Sequence, residues 1–184
     1  WRIEIRNEAK SPVANFSGKE APPASLSFSG KGSAAKILPD GSYTFQMTAV
    51  DIVGNRSVGD DLIFRVDTMP PKISLSVNPA LFSPNADGDR DTATYLLEFQ
   101  DASDIEKYVL SISGAETAKV FSGVGRPPMQ FVWDGKSDGG SVVADGRYTA
   151  VASLRDEVGN EGKSAVVLVN VDISRPLLSV VAEE

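Results

Sequence analysis

The sequence predicts an all-β protein built from tandem immunoglobulin-like β-sandwiches, the first lacking its opening strands. Three observations lead there. A long segment recurs at a fixed offset, the recurring strands alternate apolar and polar residues with period two, and Gly, Pro, Asp and Asn punctuate the gaps. No stretch sustains a helical period; 102–107 is expected to form at most one short helical turn.

The recurrence is gapless between "PDGSYTFQMTAVDIVGN" (Pro39 to Asn55) and "ADGRYTAVASLRDEVGN" (Ala144 to Asn160), an offset of 105. The same offset carries Phe16-Ser17-Gly18 onto Phe121-Ser122-Gly123, Gly30-Lys31 onto Gly135-Lys136, and Val66-Asp67 onto Val171-Asp172. A unit of about a hundred residues is too long for a solenoid repeat and is the size of a whole sandwich. In the first copy Tyr43, Phe45, Met47 and Ala49 alternate with Thr44, Gln46 and Thr48. Such a strand has one apolar face, as in an antiparallel sheet packed on one side.

In the second unit, strands are expected at 73–77, 92–99, 107–113, 118–121, 129–133, 147–154 and 164–171. That is about the seven a sandwich needs. Phe99, Leu110, Phe131, Trp133, Tyr148 and Val169 are expected to share its core. Asp-Gly before each Tyr strand (Asp40-Gly41, Asp145-Gly146) reads as a tight turn. Asp-x-x-Gly-Asn after it (Asp51 to Asn55, Asp156 to Asn160) reads as the hairpin into the last strand, with a ligand role for Asp51 or Asp156 as the alternative.

"DTMPPK" (Asp67 to Lys72) reads as a short stiff join. "DISRPL" (Asp172 to Leu177) holds the equivalent place after the second unit. The expected organisation is therefore a partial unit over 1–69, a complete unit over 70–174 and the opening strand of a following repeat over 175–184. Trp1, Ile3 and Ile5 take the places of Tyr108, Leu110 and Ile112. The counterpart of 73–106 is missing from the first unit, so the chain reads as a window on a longer array.

Composition narrows function. There is no His and no Cys. Ser-His-Asp and Cys-His nucleophile systems and thiolate or imidazole metal sites are excluded, leaving oxygen ligands and hard cations such as calcium. The net charge of −7 argues against nucleic acid. No run approaches the ~18 apolar residues of a membrane-spanning helix, so no membrane insertion is expected of this segment.

The acidic stretch "LFSPNADGDRDTATY" (Leu81 to Tyr95) offers Asn85, Asp87, Asp89 and Asp91 at alternating positions, with Gly88 where the chain turns. These four are candidate calcium ligands. A polar turn satisfied by its own side chains is the alternative. The twelfth position of an EF-hand laid from Ser83 is Thr94, so that site is not expected. Adjacent aspartates on one solvated loop do not form the facing pair of a glycosidase. Asp134 and Asp138 lie in a Gly-rich turn. No catalytic residues are assigned.

"FSPNADGDRDTATYLLEF" and "WDGKSDGGSVVADGRYTAV" resemble the FlgD-like immunoglobulin domains, and "AVDIVGNRS" and "RDEVGNEG" resemble the endings of bacterial surface immunoglobulin-like repeats. The resemblance covers residues 73–172, and 16–67 more weakly. It implies an extracytoplasmic location (cell surface, secreted or periplasmic) and a non-catalytic structural or display segment. The alternatives are a binding module, as adhesin or accessory domain of a secreted hydrolase, or a flagellar hook-cap-type scaffold. The expected partners are protein: neighbouring repeats or another surface protein. Head-to-tail self-association is a further expectation, the tail after Pro176 adding as a strand to the first unit of another copy.

Overall fold

The computed structural model describes residues 1–33, 35–115 and 117–176. The chain divides into two compact units, 1–69 and 70–184, and no helix occurs among the described residues.

The second unit is a two-sheet sandwich. Its smaller sheet is β11-β8-β6, made of β6 (Lys72–Asn78), β8 (Ala93–Gln100) and β11 (Gln130–Trp133). Its larger sheet runs β10-β9-β12-β14-β7. It comprises β7 (Leu81–Phe82), β9 (Ile105–Ser113), β10 (Thr117–Val124), β12 (Gly146–Asp156) and β14 (Val167–Val171). β13 (Glu161–Lys163) also pairs with β12. The alternating residues of both sheets meet inside. Leu97 and Tyr95 from β8, Phe131 and Trp133 from β11, Leu110 and Ile112 from β9, and Ala150, Ala152 and Leu154 from β12 form one buried cluster. Of the expected core, Leu110, Phe131, Trp133, Tyr148 and Val169 are buried, and Phe99 packs partly buried against them.

Three features depart from the expectation. β7 is a strand that no periodicity predicts. Residues 102–104 make no helical turn, and β9 already begins at Ile105, whose side chain is buried. The return from β12 is broken into β13 and β14; at the break Ser164 bridges the ladder, its amide donating to the Ala152 carbonyl and its hydroxyl accepting the Ala152 amide.

The first unit has one five-stranded sheet: β1 (Arg2–Asn7), β2 (Pro12–Ser17), β3 (Gly41–Val50), β4 (Arg56–Val58) and β5 (Leu62–Val66), in the order β2-β1-β3-β4, with β5 also on β3. These strands correspond to β9, β10, β12, β13 and β14. Ile5 faces Phe45 across the ladder as Ile112 faces Ala150. Among the described residues the first unit has no counterpart of β11-β8-β6. Its inner face is covered instead by Phe28 and Leu38 from the loop before β3, packed with Ile5, Ala14 and Tyr43.

The repeat is reproduced down to single contacts. Isolated bridges join Lys31 to Ile37 and Lys136 to Val142. The Tyr43 hydroxyl donates to the Pro39 carbonyl at 2.7 Å, and the Tyr148 hydroxyl to the Ala144 carbonyl at 2.9 Å. This is the tyrosine corner of immunoglobulin-like sandwiches. Gly54 and Gly159 take φ of 92° and 101° in the two Asp-x-x-Gly-Asn turns, a conformation costly for any side chain with a Cβ. Trp1 packs flat against Gly18, and Tyr108 against Gly123. In each unit an aromatic on one strand covers a glycine on its neighbour.

Gly162 in β13 separates the units chemically. A Cβ there would overlap the Pro71 carbonyl oxygen at the entry to β6. Its counterpart in the first unit is Ser57, where no such strand approaches. Gly162→Ala is therefore expected to destabilise the second unit by roughly 1–3 kcal/mol. Urea denaturation followed by circular dichroism checks this, and a loss under ~0.5 kcal/mol would show that the Pro71 segment moves aside freely.

Candidate functional site

The acidic loop follows β7. Phe82 anchors it in the core, and the Ser83 amide donates to the Arg90 carbonyl at 2.8 Å, closing the loop at its base. Ala86, Gly88 and Arg90 take positive φ of 65°, 93° and 52°. That alternation turns successive amides inward. Asp91 receives them, accepting Ala86 N–H at 2.8 Å on one oxygen and Gly88 N–H at 2.9 Å on the other. Asp87 accepts the Asp89 amide at 2.9 Å and the Asn85 side-chain amide at 2.9 Å. Asn85 Oδ1 accepts the Asp87 amide at 3.0 Å. Asn85, Asp87 and Asp89 are exposed and Asp91 is half-buried. Asp87, Asp89 and Asp91 do not bring three carboxylate oxygens within 4.8 Å of one another. A groove of about 570 Å³ runs beside the loop, lined by Asn85, Asp87, Val142, Ile173 and Arg175.

The two Asp-x-x-Gly-Asn turns share one hydrogen-bond pattern. Asp156 accepts the amides of Val158 and Asn160 at 3.0 and 2.8 Å and the Asn160 side-chain amide at 2.7 Å. Asp51 accepts the same three donors from Val53 and Asn55 at 3.0, 2.8 and 2.7 Å. Both act as turn formers. They differ in burial: Asp51 is exposed, whereas Asp156 is 0% exposed, the only buried charged side chain among the described residues. One carboxylate oxygen of Asp156 lies within 4.8 Å of one of Asp101, an oxygen pair suited to a hard cation. Sequence reasoning gave Asp101 no role, and the burial of Asp156 has no signal in a motif that Asp51 shares.

Asp134 and Asp138 are held by lysines. Lys119 Nζ lies 3.0 Å from Asp138, and Lys136 Nζ 3.4 Å from Asp134. The Asp of each Asp-Gly turn ties down the end of its own unit. Asp40 accepts the Thr68 amide and hydroxyl, both at 2.9 Å; Asp145 accepts the Ile173 amide at 2.7 Å and the Ser174 hydroxyl.

Hydrogen bonds of this kind hold carboxyls below their ordinary range. The Asn55 side chain and amide do so for Asp51, the Asp89 amide and Asn85 side chain for Asp87, and the Ser174 hydroxyl and Ile173 amide for Asp145. A folded-state value below the unfolded one stabilises the protein above the unfolded value and loses that effect as pH falls through the folded value. From an ordinary value of 3.8, the expected result is a melting temperature insensitive to these groups down to about pH 4 and falling below it. Substituting Asp51 and Asp145 by Asn should flatten that acid limb; an unchanged limb would contradict the assignment.

No family model matches the chain, and no curated protein matches it. Among solved structures the chain is similar to dimeric latent PorU from Porphyromonas gingivalis, with 23% identity, 73% of this chain and 12% of that one covered, and a TM-score of 0.43. It is similar to the fibronectin(III)-like modules of Clostridium thermocellum CbhA, with 12% identity, 100% and 83% covered, and a TM-score of 0.38. It is also similar to a tetra-tandem repeat in the extending region of a large adhesion protein, with 16% identity, 94% and 41% covered, and a TM-score of 0.40. At these values no argument rests on them. The strand order, the tyrosine corners and the repeat make the second unit an immunoglobulin-like β-sandwich and the first unit a copy of its larger sheet.

Proposed function

We propose that the chain is a structural spacer and display segment of a multi-repeat bacterial extracytoplasmic protein. The observation that carries this reading is the duplicated closure of each unit. Tyr43 and Tyr148 lock the corner before the central strand, and Asp40 and Asp145 tie down the residues where the chain leaves each unit. Such closures fix where a module begins and ends, which is what an array of spacers needs. The FlgD-like resemblance supports the same reading for 70–174: Phe82 and Trp133, from the two motifs that carry it, meet edge to face in the core at 5.3 Å between ring centroids. The test is location. An antibody against the chain is expected to label intact cells of the source organism; labelling only after the cytoplasm is opened would overturn the proposal.

A binding module is the second reading, and one observation favours it. The hairpin tip of the first unit presents Ile52 and Val53 fully or largely to solvent, at 104% and 77% exposure. Apolar side chains there suit a protein partner. Head-to-tail self-association belongs to the same reading. Its donor, the tail from Leu177, lies outside the described residues. Deleting 177–184 would abolish concentration-dependent association if the tail is the donor.

Calcium is the proposed ligand of Asn85, Asp87, Asp89 and Asp91. The support is four oxygen-donor side chains at alternating positions on a loop closed at its base; their bonds to the loop's own amides support the polar-turn alternative. Binding confined to the folded state raises stability. The chain is expected to melt at a higher temperature in excess calcium than in chelator, and Asp87→Ala should erase the difference. If Asp101→Asn erases it instead, the ion sits at the Asp101–Asp156 pair. Superimposable curves for the unsubstituted chain would dismiss calcium altogether.

A further inference from the structure

Charge is divided unevenly along the chain. Residues 1–69 carry 8 Lys or Arg against 8 Asp or Glu, and residues 70–184 carry 10 against 17. The formal charge of −7 therefore belongs to the second unit. The neutral first unit nevertheless gathers three arginines on the outer face of its sheet, around a groove of about 490 Å³ lined by Arg2, Glu4, Arg6, Gln46, Thr48 and Arg56.

Glu4 organises this groove without neutralising it. Arg6 donates to one Glu4 oxygen from Nε at 2.9 Å and again from Nη2. Arg2 Nη2 donates to the other oxygen at 3.2 Å and to Asn15 Oδ1 at 3.1 Å. One carboxylate thus orients two guanidiniums, and a second, Asp61, accepts the Gln46 side-chain amide at 2.7 Å, so three positive charges still outnumber the two negative ones. A guanidinium has five N–H donors, so Arg2 and Arg6 keep most of theirs. Among the described residues no hydrogen bond or ion pair engages the Arg56 side chain. Donors already held in place bind an anion at a smaller entropic cost.

The fold does not ask for these residues. In the second unit the same outward positions of the same strands hold Val109 for Arg2, Ser113 for Arg6 and Glu161 for Arg56, in matching ladder register. The groove floor also excludes one kind of occupant. Gln46 and Thr48 sit on β3, which is hydrogen-bonded to β1 on one side and to β4 and β5 on the other. Both backbone edges of β3 are therefore taken, and a peptide cannot join this floor strand as an added strand. Recognition here must run through side chains: guanidiniums for anionic groups, amide and hydroxyl for neutral ones.

We propose that this groove binds an anionic polysaccharide, its carboxylates or sulfates held by Arg2, Arg6 and Arg56 and its hydroxyls met by Gln46 and Thr48. The inference does not depend on the spacer reading, since a spacer can also adhere. The whole 184-residue chain is titrated with polygalacturonate, heparin, dextran and poly-glutamate by calorimetry at low and physiological salt. Binding to polygalacturonate, heparin or both, weakened by salt and absent for dextran, is the expected result; which of the two binds separates carboxylate from sulfate as the recognised group. The R2V/R56E variant, which installs the second unit's residues, should weaken binding at least tenfold with melting unchanged. The milder Arg56→Gln, at an exposed position, should weaken it severalfold and guards against misfolding of the double variant. Lys163→Ala, in the second unit, should leave it intact. No glycan binding, undiminished binding by both arginine variants, or binding to poly-glutamate alone overturns the proposal, the last in favour of an acidic protein segment.

Discussion

Replacing Trp133 with Ala is expected to lower the unfolding free energy of the second unit by about 3–5 kcal/mol. Trp133 is 0% exposed and is the largest fully buried side chain among the described residues. It stands between the sheets, edge to face with Phe82 at 5.3 Å and with Tyr148 at 5.4 Å between ring centroids. Its indole N–H donates to the Lys136 carbonyl at 2.9 Å, tying β11 to the turn that follows. Truncation empties a cavity walled by β7, β11 and β12 and removes that tie. It also loosens Phe82, the anchor of the acidic loop. Urea denaturation by far-ultraviolet circular dichroism measures the loss. Trp1 then remains as the sole tryptophan and reports the first unit by fluorescence, so the two units are followed separately. A loss below ~1 kcal/mol would contradict the burial of Trp133 in the core.

Asp156→Ala should cost about 3 kcal/mol, and Asp51→Ala clearly less. The two carboxylates accept the same donors at nearly the same distances, so hydrogen-bond geometry alone predicts equal effects. Burial breaks the tie. When Asp51 is removed, water reaches the freed amides of Val53 and Asn55. When Asp156 is removed, three part-buried hydrogen bonds are lost together with the packing of a fully buried side chain, whereas the three bonds of Asp51 are exposed, and polar groups shielded from water lose more when a partner is removed. Asp156→Asn should recover part of the loss, since its carboxamide keeps one oxygen acceptor. Equal losses for Asp51→Ala and Asp156→Ala would show that burial of this turn has no energetic consequence.

Much of the fold was legible because it is written twice. The period-two alternation of Tyr43 to Ala49, repeated at Tyr148 to Leu154, identified the central strand of each unit; its inward face is buried throughout in the second unit, whereas in the first only Tyr43 and Phe45 join the core. Trp133 alternating with Phe131 marked the core side of β11. Asp-Gly and Asp-x-x-Gly-Asn marked turns, because few residues take left-handed backbone or accept their own loop amides. The same local logic failed where a strand changes partner. β7 is two residues long and pairs in parallel with β14, nearly ninety residues further on, through Asn170 N–H to the Ala80 carbonyl at 2.8 Å. No periodicity over two residues announces a partner that distant. The tyrosine corners escaped as well, since Tyr43 and Tyr148 read as ordinary inward aromatics until their hydroxyls are seen to return to the chain. Within the acidic loop, composition named the oxygens. It did not show that Asp91 accepts two of the loop's own amides, which depends on three positive φ angles.

By itself, the sequence determined the repeat and its offset, the all-β class, the inward-facing residues and the exclusion of His and Cys chemistry. These follow from local periods and from composition, which do not depend on what packs against what. The tertiary structure alone decided burial and partnership. It made Asp156 a buried turn former and its twin Asp51 an exposed one, and it left Gly162 no room for a Cβ where Ser57 serves in the other copy. It also set three arginines around one carboxylate on a sheet face that the second unit fills with Val109, Ser113 and Glu161. The physical reason is the same in each case. Solvation and close approach are properties of neighbours far along the chain, and two copies of one motif differ when those neighbours differ.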